Sequence, residues 1–426
     1  MQDGAPITDV ITDVPGAIAE IQAGRMIVVV DDEDRENEGD LTLAAEHVTP
    51  EAINFMAKHG RGLICLALTE ERADYLRLGP MTAENSSRFG TAFTETIEAR
   101  EGVTTGISAY DRAHTIKVAI DPQSTAHDLA RPGHVFPLRA RKGGVLVRAG
   151  QTEASVDLAR LAGLIPAGVI CEVMKDDGTM ARVPDLIAFC QQRGLKMLTV
   201  AELIRYRLQH ERYIVRVAES AMPTEWGEFR MIAYESEVNG GESHVALTMG
   251  DVRQNAGGAE PALPSTASAP AAAEAPVLVR VHSHCLAGDV FGTTLCDCHR
   301  TMRESLKAIA REGRGALIYL HNASRGFEVD RRANEAAEPG RIVFHREARA
   351  REAHEDRQQR ILREVGLGGQ ILADLGIHRI RLLSNTPTRV PALEGFSVEI
   401  VEQVPIPAET VTASQGSAVS RSFTAG

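Results

Sequence analysis

Residues 26–40 read MIVVVDDEDRENEGD, and the fold assignment begins with them. Met26 to Val30 is a short β-branched run, which predicts a buried strand that ends abruptly at a polar loop. The loop from Asp31 to Asp40 holds seven carboxylates and one arginine. Acidic runs are usually solvated surface, but loops at strand ends are where a rigid scaffold presents chemistry. The position of this run therefore favours a functional loop.

Three acids of this loop, Glu36, Glu38 and Asp40, alternate along the chain. In extended backbone such residues project to one face. Carboxylates on one face repel one another unless a cation lies among them, and hard oxygen ligands suit Mg²⁺ or Mn²⁺. Arg35 would contact a substrate phosphate or offset the negative charge of the cluster. The loop thus predicts a divalent-metal site beside an anionic substrate.

Outward from this loop, helix and strand signals alternate, which predicts an α+β fold with two domains: a mixed-sheet α/β domain followed by a smaller α+β domain. In the first half, the pattern predicts a helix over Pro50–Lys58 capped by Thr49, strands at Gly62–Leu68 and Gly144–Val147, a helix capped by Thr152 that runs through Ala162 and stops at Gly163, and helices at Pro184–Arg193 and Val200–Gln209.

The second half begins near Tyr213 with a hairpin pattern. Strands are predicted at Val277–Ser283, Ala316–Tyr319 and Arg379–Leu383, and a helix at Thr301–Glu312. The predicted domains are 1–212 and 213–409, the second interrupted by a low-complexity loop at 254–276 and followed by a disordered tail at 410–426.

Composition limits the class of protein. The chain has 43% hydrophobic and 24% charged residues, as in ordinary globular proteins. A net charge of −12 with 4% aromatics argues against general nucleic-acid binding. No apolar run approaches a membrane span, no signal peptide begins the sequence, and six cysteines form no disulfide framework. We expect a cytoplasmic protein that binds neither nucleic acid nor membrane.

The acidic loop DDEDRENEGD resembles the signature of 3,4-dihydroxy-2-butanone 4-phosphate synthases. Five further blocks match this family in order, and the resemblance covers about residues 14–212. The blocks are HGRGLICL (His59–Leu66), FGTAFTETIEAREGVTTGIS (Phe89–Ser108), RPGHVFPLRAR (Arg131–Arg141), GGVLVRAGQTEASVDLARLAGL (Gly143–Leu164) and CEVMKDDGTMAR (Cys171–Arg182).

This resemblance implies a lyase of riboflavin biosynthesis that converts ribulose 5-phosphate to 3,4-dihydroxy-2-butanone 4-phosphate and formate with Mg²⁺ and no organic cofactor. It also implies a homodimer, because the family builds its active sites at a subunit interface. The implied roles are as follows: Glu36 as metal ligand, Arg35 as substrate contact, Asp40 on the sugar hydroxyls, Arg148, Ala149, Gly150, Gln151 and Thr152 on the phosphate, His134, Glu172 and Glu38 in catalysis, and Cys65 and Asp31 lining the pocket, with Cys65 also a catalytic candidate.

One departure from the family concerns the metal. Where the family shows GHTEA, with histidine as second metal ligand, this chain has GQTEA at residues 150–154. The amide oxygen of Gln151 can bind Mg²⁺, so the sequence predicts an all-oxygen site. A glutamine does not titrate, and its ligand field differs from that of imidazole.

A second candidate site lies at residues 281–300, VHSHCLAGDVFGTTLCDCHR. Cys285, Cys296 and Cys298 offer three thiolates, the number that a catalytic zinc takes while one position stays open to water. The alternative is a set of free cytosolic thiols. His282, His284 or His299 could instead complete a four-ligand structural site.

This motif resembles that of GTP cyclohydrolase II, and PTEWGEF (Pro223–Phe229) and RIRLLSNTPTR (Arg379–Arg389) match its flanks. The resemblance implies a zinc enzyme that opens the guanine ring of GTP, often fused behind the synthase. Its catalytic segments differ here, however. The phosphate-binding RQEGRGIGL is HNASRGF from residue 321, and the acid that serves as base is Ile361. Arg325 and Arg363 remain as vestiges of the family's arginines.

An isoleucine accepts no proton, and loss of the phosphate contacts removes affinity for an anionic nucleotide. The sequence therefore predicts an active synthase whose second domain binds zinc without catalysis. Two alternatives stay open: an enzyme active in both domains, and a regulatory or scaffold protein inactive in both.

Overall fold

Each half of the chain folds around a seven-stranded mixed sheet, which confirms the predicted α+β class with two domains. The computed structural model describes residues 10–31, 35–87, 90–236, 242–254, 275–321, 366–385 and 398–406, and the backbone of 327–330 and 341–344. The predicted low-complexity loop at 254–276 lies almost wholly outside the described residues, and the predicted tail at 410–426 lies wholly outside them.

The first sheet has the strand order β4-β5-β3-β6-β2-β1-β7. Its strands are β1 (Ile27–Val30), β2 (Gly39–Ala44), β3 (Cys65–Leu68), β4 (Ile97–Ala99), β5 (Leu129–Arg139), β6 (Ala167–Glu172) and β7 (Lys196–Thr199). Strand β1 is parallel to β7 and antiparallel to β2. Val28 and Val30 enter one hydrophobic core, whereas Ile27 and Val29 enter another. Helices therefore cover both faces of this sheet, which is why β1 reads as an uninterrupted apolar run.

The helices of this half are α1 (Val14–Gln22), α2 (Pro50–Phe55), α3 (Glu70–Tyr75), α4 (Ala109–Ile120), α5 (Gln151–Leu161), α6 (Val183–Arg193) and α7 (Val200–His210). Most of them begin at a side chain that accepts a hydrogen bond from the first turn, such as Thr49 for α2 and Thr199 for α7. Such caps satisfy amide groups that a helix start leaves without partners.

The second sheet has the order β16-β15-β11-β12-β10-β9-β8. Its strands are β8 (Ile214–Thr224), β9 (Gly227–Ser236), β10 (Glu242–Met249), β11 (Val277–Ser283), β12 (Gly315–Leu320), β15 (Arg379–Leu383) and β16 (Glu399–Val404), and β13 (Phe327–Asp330) pairs with β14 (Arg341–Phe344) as a separate hairpin. Helix α8 (Cys298–Glu312) packs on this sheet, and residues 366–374 are also helical. In the part of the chain that the structure describes, no helix is long and apolar enough to cross a membrane.

Two local predictions are wrong. Gly144–Val147 is not a strand, because Gly143 and Gly144 have positive φ angles of 95° and 64° and residues 144–146 form a short helical turn. Thr152 does not cap α5. The helix begins one residue earlier at Gln151, with Gly150 at the cap position and no side-chain cap. The predicted stop at Gly163 is confirmed by its left-handed backbone, with φ of 75°.

Candidate functional site

Two acids from distant parts of the chain meet where β2 pairs with β6. Asp40 on β2 lies opposite Glu172 on β6 in the antiparallel register. The Glu172 carboxylate is fixed there, because its Oε2 accepts a hydrogen bond of 2.8 Å from the Leu63 amide. The predicted site residues at 40 and 172, which are 132 positions apart, therefore share one end of the sheet.

Electrostatics at this position resemble those of a cation site. Burial raises the pKa of Asp40 well above its usual range, and the carboxylates of Glu172 and Glu36 raise it further. Burial also raises the pKa of Glu36 and of Glu38. A cation among such carboxylates would relieve their repulsion, and carboxylate oxygens are ligands that Mg²⁺ accepts. The donor set therefore fits a divalent metal.

The acidic loop is shaped by Asp31 rather than by extended backbone. Its buried carboxylate accepts hydrogen bonds from Arg35 Nη1 at 2.7 Å and from the Glu38 amide at 2.9 Å. Residues 35 and 36 form a turn, and Asn37 has a positive φ of 52°. The predicted alternation of Glu36, Glu38 and Asp40 along one extended face is therefore wrong, although Glu36 still lies close enough to raise the pKa of both Glu38 and Asp40.

Gln151 uses its amide oxygen within the protein. The side chain is buried, and its Oε1 accepts a hydrogen bond of 2.9 Å from Arg35 Nη1. Arg35 also pairs with Asp31 at 2.7 Å and with Glu36 at 3.0 Å. The oxygen predicted as a metal ligand thus accepts from a guanidinium, and Gln151 holds Arg35 in place.

Two arginines converge beside these acids at the start of α5. A Cβ built on Gly150 would lie 2.7 Å from Arg148 Nη1 and 3.1 Å from Arg35 Nη2. Both guanidinium groups therefore lie against the backbone of Gly150. Arg148 is oriented by an ion pair of 2.8 Å with buried Glu153. Guanidinium groups and free amides at a helix N-terminus are donors that anions accept, so residues 148–152 are the candidate anion site, here called the anion seat.

His134 and Cys65 occupy contrasting environments. His134 is exposed on β5, and its Nδ1 lies 2.9 Å from Glu98 Oε2. Cys65 is 2% exposed in the apolar core, where burial raises the pKa of its thiol and Glu172 raises it further. A neutral thiol is a weak nucleophile. Cys65 therefore lies in the hydrophobic core beneath the acids, and its buried, neutral thiol does not favour the predicted catalytic use.

Sequence reasoning missed three groups that position the site. Glu98 pairs with His134, Glu153 pairs with Arg148, and Arg182 Nη1 donates to the carbonyls of Glu36 (2.7 Å) and Asn37. All three residues lie within the sequence blocks that match the synthase family, and this position was the only sequence evidence that pointed to them. The partners of Glu98 and Arg182, which are 36 and up to 146 positions away, were not predictable from local pattern.

The three cysteines of the second half do come together. The Sγ atoms of Cys285, Cys296 and Cys298 all lie within 4.8 Å of one another, and those of Cys285 and Cys296 are 3.8 Å apart. Two sulfurs each about 2.3 Å from a tetrahedral zinc would be about 3.8 Å apart. A Cβ on Gly288 would lie 2.7 Å from Cys296 Sγ, so this glycine is required for the cluster. The donor set fits zinc.

Histidines surround this cluster without joining it. Among the described residues, the group of close ligand atoms contains the three cysteines and no histidine. His284 Nδ1 lies 2.8 Å from Tyr319 Oη, and His299 Nδ1 lies 3.4 Å from the carbonyl of Asp289. Arg325, Ile361 and Arg363, the positions on which the degenerate catalytic segments were argued, lie outside the described residues.

Comparison with known proteins accounts for both halves. Residues 15–206 match the family model of 3,4-dihydroxy-2-butanone 4-phosphate synthase, and residues 215–405 match that of GTP cyclohydrolase II. The chain is 52% identical over 401 residues to the riboflavin biosynthesis protein RibBA of Aquifex aeolicus (strain VF5), which covers 93% of this chain and 92% of that one. It is 47% identical over 395 residues to RibBA of Salinispora arenicola (strain CNS-205), with 92% and 88% covered.

A solved structure also matches both halves. It is that of RibBX from A. baumannii, described as a two-domain 3,4-dihydroxy-2-butanone 4-phosphate synthase. The match has a TM-score of 0.71 and 38% sequence identity, and it covers 92% of this chain and 99% of that one. The similarity therefore extends through both sheets rather than being limited to one of them.

Proposed function

The chain belongs to the family of riboflavin biosynthesis proteins that join a 3,4-dihydroxy-2-butanone 4-phosphate synthase domain to a GTP cyclohydrolase II domain, and from this premise we propose that its first domain converts D-ribulose 5-phosphate to 3,4-dihydroxy-2-butanone 4-phosphate and formate. The observation that carries the proposal is the convergence of Arg35 and Arg148 at Gly150, next to the carboxylates of Asp40 and Glu172. This arrangement suits a phosphorylated polyol.

The proton transfers of this reaction need a base and an acid on either side of the sugar. Glu98 accepts a hydrogen bond from His134 Nδ1, which leaves Nε2 of that ring with the lone pair that takes a proton. Glu172, held by the Leu63 amide and opposite Asp40, would act on the side of the carboxylates. Asp40 would bind the sugar hydroxyls, and Arg148 and Arg35 would hold the phosphate. When bound through Glu36 and its neighbours, Mg²⁺ or Mn²⁺ would polarise the sugar's oxygens.

For the second domain we propose zinc binding without GTP cyclohydrolase II activity. The departures at residues 321–327 and at Ile361 support this, as does the match over both domains to a protein described as a two-domain synthase. The domain boundary between residues 212 and 213 and a cytoplasmic location belong to the same proposal. So does a homodimer, which light scattering at micromolar concentration would test by a mass of twice 46.0 kDa.

The first-domain assignment is tested by formate release from ribulose 5-phosphate in the presence of Mg²⁺. Glu36→Ala and Glu172→Ala should each lower kcat/KM by at least about 10²-fold, the scale of a lost acid–base group. Glu71→Ala changes an exposed carboxylate on α3 and serves as the matched control. Near-normal rates in either site variant, or a wild-type protein that releases no formate, would contradict the proposal.

A further inference from the structure

A buried ion pair fastens the loop that leads to the anion seat. Asp157 on α5 accepts a hydrogen bond of 2.8 Å from the Val145 amide, and Arg207 on α7 donates to Asp157 Oδ2 at 2.6 Å and to the Gly143 carbonyl at 2.9 Å. Both charged side chains are 5–6% exposed. A Cβ on Gly144 would collide with the Asp157 carboxylate. The pair therefore fixes the first turn of the segment 143–150, which contains Arg148.

The same arginine is tied to the segment that connects the two halves. Arg207 donates to Glu211 from Nη2 at 2.9 Å and from Nε at 3.1 Å, and the Tyr213 hydroxyl donates to the Arg207 carbonyl at 2.8 Å. Burial lowers the pKa of Arg207, but the carboxylates of Asp157 and Glu211 raise it by more, so the guanidinium stays charged. The connection between α7 and β8 thus belongs to one polar network with the loop.

The second half binds the segment between α7 and β8 through the buried side-chain amide of Gln370. Gln370 Nε2 donates to the carbonyls of Leu208 at 3.0 Å and Glu211 at 2.6 Å, and its Oε1 accepts from the Tyr213 amide at 2.9 Å. Gly366, one helical turn earlier, packs so closely on Leu208 that a Cβ would collide with its methyl groups. The helical segment 366–374 therefore lies directly on the end of α7.

We infer that the second domain is a positioning element for the first: Gln370, acting through residues 207–213 and Asp157, holds the loop at 143–150 so that Arg148 meets the phosphate of the substrate. This inference rests on the proposed function only for the identity of that phosphate. The contacts form one continuous chain of packed, hydrogen-bonded groups, which is the physical route by which two sites couple. On this inference, the second domain supports substrate binding by the first even without GTP cyclohydrolase II activity of its own.

The kinetic test uses the full-length protein with Gln370→Ala. The variant should raise KM for ribulose 5-phosphate about three- to tenfold while kcat changes less than about twofold, since the loop binds the phosphate and does not move protons. Ala373→Ser, on an exposed position of the same helical segment, is the matched control and should match wild type. An unchanged KM in Gln370→Ala, or an equal fall in kcat, would overturn the inference.

Hydrogen exchange provides a readout that needs no turnover. Amides of residues 143–150 should exchange faster in Gln370→Ala than in wild type or Ala373→Ser, whereas those of β3 should be unchanged. Combining Gln370→Ala with Asp157→Asn should raise KM no further than the larger single effect, because both act through one chain of contacts. Increases in KM that multiply in the double variant, or unaltered hydrogen exchange of residues 143–150 in Gln370→Ala, would overturn the inference. A wild type without formate release, but with altered loop exchange in the variant, would instead contradict only the proposed reaction.

Discussion

At the scale of single residues, Gln151 shows where sequence reasoning reaches its limit. The matching motif places the side chain at the site, but no local pattern could show that its amide oxygen accepts from Arg35, which is 116 positions away. The Arg148–Glu153 pair was partly predictable, because its members are five positions apart and both lie in one quoted block. Partners close in sequence were within reach of prediction, and distant ones were not.

Gln151→His tests what this residue does for metal preference. Carboxylate and amide oxygens suit Mg²⁺ and Mn²⁺, whereas imidazole favours Ni²⁺ and Zn²⁺. We expect the substitution to tighten Ni²⁺ binding by about tenfold or more and to change Mg²⁺ binding little. Calorimetric titration of both ions into metal-free protein measures this directly. If Ni²⁺ affinity stays the same, residue 151 lies too far from the metal to be a ligand, whichever side chain it carries.

At the scale of helices and strands, the predictions succeeded where the spacing of apolar residues along the chain was clear. The strands Val277–Ser283 and Arg379–Leu383 were predicted to the residue, since apolar runs of buried strands end at polar or small residues. The apolar run at Gly144–Val147 wrongly predicted a strand, because two glycines with positive φ and the carboxylate of Asp157 impose a turn there. A contact that comes from α5 overrides the local propensity, and four residues carry too little pattern to reveal it.

The acidic loop and the strand that follows it should make stability depend on pH. The pKa of Asp40, Glu36 and Glu38 is raised in the folded state, so the folded protein binds these protons more tightly than the unfolded chain does. The free energy of unfolding that they contribute therefore falls as pH rises from each group's unfolded pKa through its folded value. Without metal, Asp40→Asn should consequently raise Tm at pH 8 by about 2–4 °C.

This gain in Tm should shrink at pH 5.5, where Asp40 is closer to being protonated in wild type, and Mg²⁺ at pH 8 should stabilise wild type more than the variant. Calorimetry in EDTA and then in Mg²⁺ measures both effects. Glu71→Gln, which removes an exposed charge from α3, is the control for net charge. A variant that is less stable than wild type at pH 8 in EDTA would contradict the repulsion on which this prediction depends.

At the scale of the whole molecule, the two halves were predictable as separate units, but their connection was not. Alternating helix and strand signals and two sets of motifs divided the chain. The hydrogen bonds of Gln370 to the end of α7 join residues more than 150 positions apart, and no sequence pattern predicts them. In the second half the motif was sufficient to predict that three thiols converge, because their spacing is short and the turn through Gly288 brings them together.

Metal binding and nucleotide chemistry should therefore separate in this molecule. The three thiols belong to residues 285–298, whereas the phosphate-binding stretch and the missing acid belong to residues 321–327 and Ile361, so the first can persist without the second. Metal analysis should find about one zinc per chain in the purified protein. Gly288→Ala should lose it, since the added Cβ would lie 2.7 Å from Cys296 Sγ, while Thr294→Ala on the exposed part of the same loop should retain it.

The zinc-loaded protein given GTP should release neither pyrophosphate nor formate at ordinary enzyme rates, because position 361 offers no carboxylate to move a proton. The same preparation should release formate from ribulose 5-phosphate, which excludes a misfolded sample as the reason. Pyrophosphate and a pyrimidine product from GTP would overturn the prediction and would require a base other than residue 361. A purified protein that contains no zinc would contradict the zinc-binding part of the prediction, whatever its synthase activity.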